Sequence, residues 1–420
     1  MRDLTARTAS ARPARLRDLT ARTASARPAR LRDLTARIDA ATPDGRDRAL
    51  DALRALAILG VVAGHWMVTA LVVESGTVRV ASPLRHMPQL APLSWVFQTL
   101  AVFFLVGGLV GTRSHRRARA EGVPYGRWLA GRVARLFRPA VVVAAVWAGA
   151  ALVMLAVGAR LESVQALVKL VLSPMWFLLV FAALTAATPL VSRLHPAWPL
   201  AVVACVDLVR FGGLAEGLPA GLAGGSLWWV SVAAGWLVPY CVGAAWARDR
   251  LQGRATGWAL LLGGGAAAVA LVGWGGYPAT MVGVPGAPLS NLDPPSLAAV
   301  TFGIAQSGAA LLLLGPLRRL LRRPAAWVAV ALANLAAMTI FLWHQTAMIA
   351  VASLALLAAG STPWTGLHTV PDGPDWVLAR VAWLPAFAVA LLVCCAAFRG
   401  HERVRSPAGP VAERLHAGSS

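Results

Sequence analysis

Residues 50–73 read LDALRALAILGVVAGHWMVTALVV, a run broken only by Asp51, Arg54 and His65 among its ionisable side chains. A helix rising 1.5 Å per residue needs about 20 mainly apolar residues to cross a bilayer, and this run is long enough. The same count along the chain finds ten such runs, at roughly 50–73, 94–112, 139–159, 169–191, 197–210, 226–246, 257–275, 297–315, 333–358 and 377–398. The fifth is short, and the ninth has no sharp start after Trp327.

Composition agrees. Of 420 residues, 58% are hydrophobic and 14% charged, whereas soluble domains carry about 25% charged residues. Twelve Arg and six Asp fall in the first 48 residues, so the remainder is more apolar still. A soluble globular enzyme and a disordered chain are both excluded. The expected fold is an all-α polytopic transmembrane helix bundle of about ten spans. A membrane domain at 49–398 lies between basic tails at 1–48 and 399–420. The first tail repeats RDLTARTASARPARL at 2–16 and 17–31, then RDLTAR at 32–37. Pro13 and Pro28 break any continuous helix there. It reads as a duplicated, solvated tail, with an arm lying on anionic lipid as the alternative.

The net charge of +21 invites a nucleic-acid reading, and its placement removes the need for one. With the N-terminus inside, cytoplasmic segments hold 32 of the 39 Lys and Arg and external segments five. That asymmetry is the positive-inside pattern of a membrane protein, with both termini cytoplasmic. All but one of the 39 are Arg, the exception being Lys169, a composition typical of a GC-rich bacterial genome. Cys205, Cys241, Cys394 and Cys395 show no metal-ligand spacing and read as thiols buried in helices.

Ionisable groups inside the hydrocarbon are costly and mark function by default. Arg54 and His65 are eleven residues apart, about 1100° of helical rotation, which puts them on one face about 16 Å apart along the axis. One face then offers a cation at the inner surface and a titratable base deep in the membrane, suited to accepting a proton from a hydroxyl. The bland alternative is a histidine bonded to a neighbouring helix and a snorkelling arginine. Asp51 is placed to orient Arg54 at i+3. His344 is a second intramembrane histidine, either a helper to His65 or a helix–helix hydrogen bond.

Arg132, Arg135 and Arg138 stand in the densest basic loop. Arginine pairs phosphate bidentately, although positive-inside anchoring produces the same density. In the longest late external loop, Asn291, Asp293 and Ser296 surround two prolines, with helix capping favoured over acceptor contact. Trp176, Phe177, Trp228 and Trp229 read as interfacial or packing aromatics. Asp207 and Arg210 read as an i, i+3 ion pair.

In order, these motifs resemble the bacterial acyltransferase 3 family of integral membrane acyltransferases. LDALR followed by His65 resembles the family's opening, FFLVGG (103–108) its FFxxSG element, and RVARLFRP (132–139) its basic loop. WFL (176–178) resembles the mid-chain element and TIFLWH (339–344) the late YLxH element. NLDPPS (291–296) resembles a loop of some actinobacterial members. The likeness covers roughly 48–398. SPM (173–175) replaces a histidine common before WFL, and Gly107 stands where Ser is usual.

The resemblance implies transfer of an acyl group, with acetyl expected, from a cytoplasmic acyl-CoA to a hydroxyl of an extracytoplasmic carbohydrate, glycolipid or metabolite at the bacterial plasma (inner) membrane. His65 would be the base and Arg54, supported by Asp51, its partner on the donor side. Arg132, Arg135 and Arg138 would face the donor's phosphates. His344, Asn291, Asp293 and Trp176 become auxiliary or acceptor-side candidates. The expected partners are the bilayer, the acyl-CoA co-substrate and the hydroxyl acceptor, with no bound cofactor, no metal and no nucleic acid. Nothing in the sequence sets an oligomeric state. The competing readings are a transporter or flippase without acyl transfer, and an inert membrane scaffold.

Overall fold

A computed structural model describes residues 33, 35–43, 45–211, 225–251, 253–358, 360, 362–398 and 400. The repeat at 2–31 and nearly all of the tail at 399–420 lie outside the described residues. In chain order the main elements are α1 (Arg48–Val68), β1 (Ala70–Glu74), β2 (Thr77–Ala81), α2 (Leu100–Ala120), α3 (Tyr125–Ala156), α4 (Leu161–Leu172) and α5 (Trp176–Ala186). They continue with α6 (Ala197–Phe211), α7 (Leu227–Trp246), α8 (Gly253–Trp274), α9 (Leu297–Leu320), α10 (Pro324–Leu335), α11 (Ala337–Ala358) and α12 (Pro374–Phe398).

Among the described residues, nine helical stretches are long and apolar enough to span a membrane, with α4 and α5 counting as one from Leu161 to Ala186. The expected fifth span is α6, whose 15 residues rise about 22 Å, short of the hydrocarbon thickness. The expected ninth run divides into α10 and α11.

The expected first span is also corrected: α1 ends at Val68 rather than residue 73. Val72, Val73, Thr77, Val78 and Val80 are β-branched, and they flank Ser75 and Gly76, both in the left-handed region at φ 49° and 74°. That is a two-residue hairpin turn, so β1 and β2 pair antiparallel with Ala70 opposite Ala81 and Glu74 opposite Thr77. Ser163 on α4 accepts from the Val78 backbone N–H at 2.9 Å, and Arg160 donates to Thr77 Oγ1 at 2.9 Å.

The chain divides into two compact units. The smaller comprises 1–52 and 314–335, the larger 53–313 and 336–420. In the smaller, Arg318 bonds Asp47 and Arg48 bonds Asp39, while Arg48 lies over the ring of buried Trp327. The core of the larger unit is strongly aromatic: Phe104 of α2 stacks on Trp236 of α7 with centroids 4.9 Å apart, and Phe177 and Phe181 of α5 lie with centroids 5.2 and 6.0 Å from that of Phe104. Its outer surface carries many large apolar side chains, with Leu152, Leu357 and Leu392 exposed by 69%, 78% and 68%. In water such a surface would aggregate, whereas in lipid it is the solvated face.

Small residues set the closest helix contact. A Cβ on Gly243 of α7 would land on the Leu105 carbonyl of α2, and one on Gly108 would land on that of Tyr240. Gly107, where a serine was the family expectation, faces the ring of Phe181, so α5 occupies the space a serine side chain would need. All four cysteines lie in helices as free thiols. Cys205 on α6 is exposed rather than buried.

Candidate functional site

His65 sits in the last turn of α1, immediately before the chain turns into β1. A helix end in an apolar core leaves carbonyls without partners, and these need donors. Arg380 of α12 supplies them: Nε donates to Trp66 O at 2.6 Å, Nη2 to Thr69 O, and Nη1 to Gly366 O at 2.8 Å. The guanidinium is 1% exposed and packs on Phe387 and Trp376. No carboxylate pairs with it among the described residues. A cation at a helix C-terminus also matches the helix dipole. Arg380 therefore anchors the turn that carries His65.

Three polar side chains meet there. His65 Nδ1 lies 3.2 Å from Nε2 of Gln345 on α11, and its ring centroid is 5.0 Å from that of His344. His344 Nδ1–H donates to Phe341 O at 2.5 Å, so its Nε2 carries the lone pair, buried and without a partner. Oε1 of Gln345 is likewise buried and unpaired. Trp66 Nε1 donates to the His344 carbonyl at 2.9 Å, fixing α1 against α11 at this level.

His65 opens onto a cavity of about 690 Å³, also lined by Lys169, Trp176, Trp228, Asp293 and Phe341. With Nδ1 occupied by Gln345, Nε2 is the ring nitrogen left to the cavity. The glycines of GVVAG (60–64) make the wall possible. A Cβ on Gly64 would approach Phe97 to 2.9 Å, and Thr99 Oγ1 donates to Ala57 O at 2.7 Å. The segment Phe97–Thr99 thus lies directly on α1.

Arg54 lies eleven residues earlier on the same helix and does not line the cavity. At its level Arg132 of α3 has Arg135, Tyr240 and Arg54 as electrostatic neighbours. The Arg132 Nε is buried without a partner, and its guanidinium lies 5.4 Å from the Trp128 ring centroid. Arg135 donates to its own helix at Gly131 O, 3.0 Å, and is exposed, as is Arg138. Cations brought together with a phenol and an unsatisfied N–H form a natural anion site.

The remaining sequence candidates fall in several places. Trp176 and Asp293 line the cavity, and Asp293 accepts from Trp228 Nε1 at 2.7 Å, a pairing distant in sequence. Asn291 is fully buried, donating to Pro278 O and Thr280 O and accepting from Ser296 Oγ, so it holds the loop together. Ser296 accepts from the Ala299 N–H at 3.3 Å as a helix cap, and Asp207, paired with Arg210 at 3.3 Å, accepts from the Leu297 N–H at 2.6 Å. Asp51, within the smaller unit, accepts from Arg46 Nε at 2.5 Å, a partner that helical spacing did not suggest.

Sequence reasoning missed Gln345 and Arg380. Gln345 directly follows His344 in a helix whose other polar residues are only Thr and Ser, which was a usable signal. Arg380 lies near the end of an apolar run, where its position alone does not set it apart from an interfacial cation.

Compared with known proteins, residues 47–399 match the sequence model of the acyltransferase 3 family, described as an acyltransferase domain. No curated protein and no solved structure matches the chain.

Proposed function

The chain belongs to the acyltransferase 3 family and is a multi-pass membrane acyltransferase, and from that premise we propose that it moves an acyl group, acetyl in the first instance, from a cytoplasmic acyl-CoA to a hydroxyl of an extracytoplasmic carbohydrate, glycolipid or metabolite. The observation that carries this reading is His65: its Nδ1 is held by a polar partner inside the protein, and the residue lines a cavity large enough for a hydroxyl-bearing molecule.

The acceptor enters the cavity and places a hydroxyl at His65 Nε2. His65 takes the hydroxyl proton as the oxygen attacks the thioester carbonyl carbon. The C–S bond then breaks, and the departing thiolate takes the proton from the imidazolium. The products are an ester and free CoA thiol. Arg54 and Arg132 hold the donor's phosphates, with Arg135 and Arg138 at the exposed rim, and the thin arm of the thioester spans the roughly 16 Å from Arg54 to His65. Trp176 and Trp228 offer flat apolar faces to the acceptor, and Asp293 and Lys169 offer polar contacts. His344 supports His65 from the side away from the cavity. The setting is a bacterial plasma membrane, with both termini cytoplasmic. This orientation is supported by the 32-to-five split of basic residues and requires α6 to cross despite its length.

The test uses proteoliposomes carrying the wild-type chain or His65→Ala, labelled acetyl-CoA, and envelope glycans and glycolipids as acceptors. Base-labile label on the acceptor with wild type alone is the expected result. Equal label with both chains removes His65 from the chemistry. Lipid crossing the bilayer with no ester formed would favour the transport reading.

A further inference from the structure

Gln345 occupies a position that the chemistry of His65 makes demanding. A primary amide has two orientations of the same shape, differing in whether nitrogen or oxygen meets the imidazole. With nitrogen at His65 Nδ1, the amide donates into the ring lone pair at 3.2 Å and leaves its own Oε1 buried without a partner. Neutral His65 must then carry its proton on Nε2, the nitrogen facing the cavity, and can accept nothing from a hydroxyl there. With oxygen at Nδ1, Oε1 accepts from Nδ1–H and Nε2 keeps its lone pair.

Only the second arrangement serves every stage of the transfer. Before the reaction His65 needs a bare Nε2, and afterwards, as imidazolium, it has N–H on both nitrogens. An oxygen at Nδ1 bonds to both forms, while an NH2 group there meets the imidazolium donor to donor. We infer that Gln345 is the positioning residue of this site: its carboxamide oxygen holds the proton of His65 on Nδ1 and so presents a basic Nε2 to the cavity. This rests on the acyl-transfer reading above. His344 also presents an acceptor lone pair at Nε2, but that atom has no hydrogen-bond partner, and the contact to His65 Nδ1 is made by Gln345.

The neighbouring packing keeps the amide in place. Trp66 bonds the His344 carbonyl, and Trp147 Nε1 donates to Thr346 Oγ1 at 2.9 Å, so the residues on both sides of Gln345 are tied to other helices. Gln345 itself is 1% exposed. A side chain so held cannot trade its partner for water.

The experiment uses the full chain in proteoliposomes, comparing wild type, Gln345→Met, Gln345→Glu and His65→Ala. Methionine keeps the length and removes both polar atoms, whereas glutamate retains an acceptor. For Gln345→Met, kcat falls at least about tenfold, the KM for acetyl-CoA stays within about twofold, and Gln345→Glu recovers most of the rate. The second measurement is the 15N spectrum of histidine-labelled protein, with His65 identified by its loss in His65→Ala. Wild type and Gln345→Glu show the proton on Nδ1, and Gln345→Met shifts it toward Nε2. If Gln345→Met does not fold, the Gln345→Glu rate and the wild-type spectrum decide.

Three results overturn the inference: a wild-type kcat in Gln345→Met, equal impairment in the Met and Glu variants, or an Nε2 proton in wild type. Full activity in His65→Ala is a different failure. It removes the acyl-transfer reading, while the spectrum still reports whether Gln345 sets the tautomer.

Discussion

The two functional levels of α1 solve opposite problems with the same kind of residue. At Arg54 the chain gathers cations around Arg132, which has Arg54, Arg135 and Tyr240 as electrostatic neighbours and an N–H left unsatisfied. At the end of α1 that carries His65, Arg380 is buried completely and spends donors on backbone carbonyls. Under the proposed function, charge is gathered for the acyl donor at the first level and hydrogen-bonded to the backbone for structure at the second. An arginine in an apolar helix is therefore no guide to its role until its partners are known. Unsatisfied donors point to binding, and saturated donors to support.

The largest expected effect tests the His65 level. His65→Ala lowers kcat about 100- to 10,000-fold, the range of a lost general base, with an unchanged elution profile in detergent. A residual rate near wild type would make both levels binding sites only. Arg380→Met removes the charged donors from the end of α1. Its thermal unfolding should show a loss of more than about 2 kcal/mol, together with lost activity. Unchanged stability would mean the helix end needs no anchor.

At the other level the account expects a different signature. Arg132→Ala raises the KM for acyl-CoA about tenfold with little change in kcat, since a lost phosphate contact is binding shared by ground and transition states. A fall in kcat at constant KM would instead draw Arg132 into the chemistry and erase the contrast between the levels.

The smallest effect concerns His368, in the loop between α11 and α12. Burial, with the Arg380 guanidinium nearby, pushes its pKa below the usual histidine value despite the hydrogen bond to Ala352 O. The neutral ring is the folded form, so its contribution is complete above the unfolded value of about 6.5 and fades as pH falls below it. The thermal midpoint should therefore drop between pH 7.5 and 5.5, and by less in His368→Gln. Equal drops in both chains would assign the acid sensitivity elsewhere.

Much of this was legible from residue spacing. Apolar length located most of the spans, and an eleven-residue interval placed Arg54 and His65 on one face of a helix that is continuous from Arg48 to Val68. Length alone misled where β-branched residues prolonged an apolar run: Val72 and Val73 read as helix, although Ser75 and Gly76 beyond them marked a hairpin turn. The short run at 197–210 is α6, 15 residues long. Partnerships were the least legible. Gln345 with His65, Asp293 with Trp228 and Arg380 with the end of α1 join residues 65 to 314 positions apart, and no periodicity along one helix encodes them. Asp51 adds a further case, because the fold gives it Arg46, a partner that helical spacing does not suggest.

The central claim is that thioester and hydroxyl approach His65 from opposite faces of the membrane. It is tested most directly in sealed proteoliposomes of one protein orientation, with labelled acetyl-CoA and an impermeant hydroxyl acceptor placed either on the same side or on opposite sides. The account predicts base-labile product only when acetyl-CoA is on the arginine side and the acceptor on the cavity side. Product formed with both reagents on one side of a sealed bilayer would contradict it.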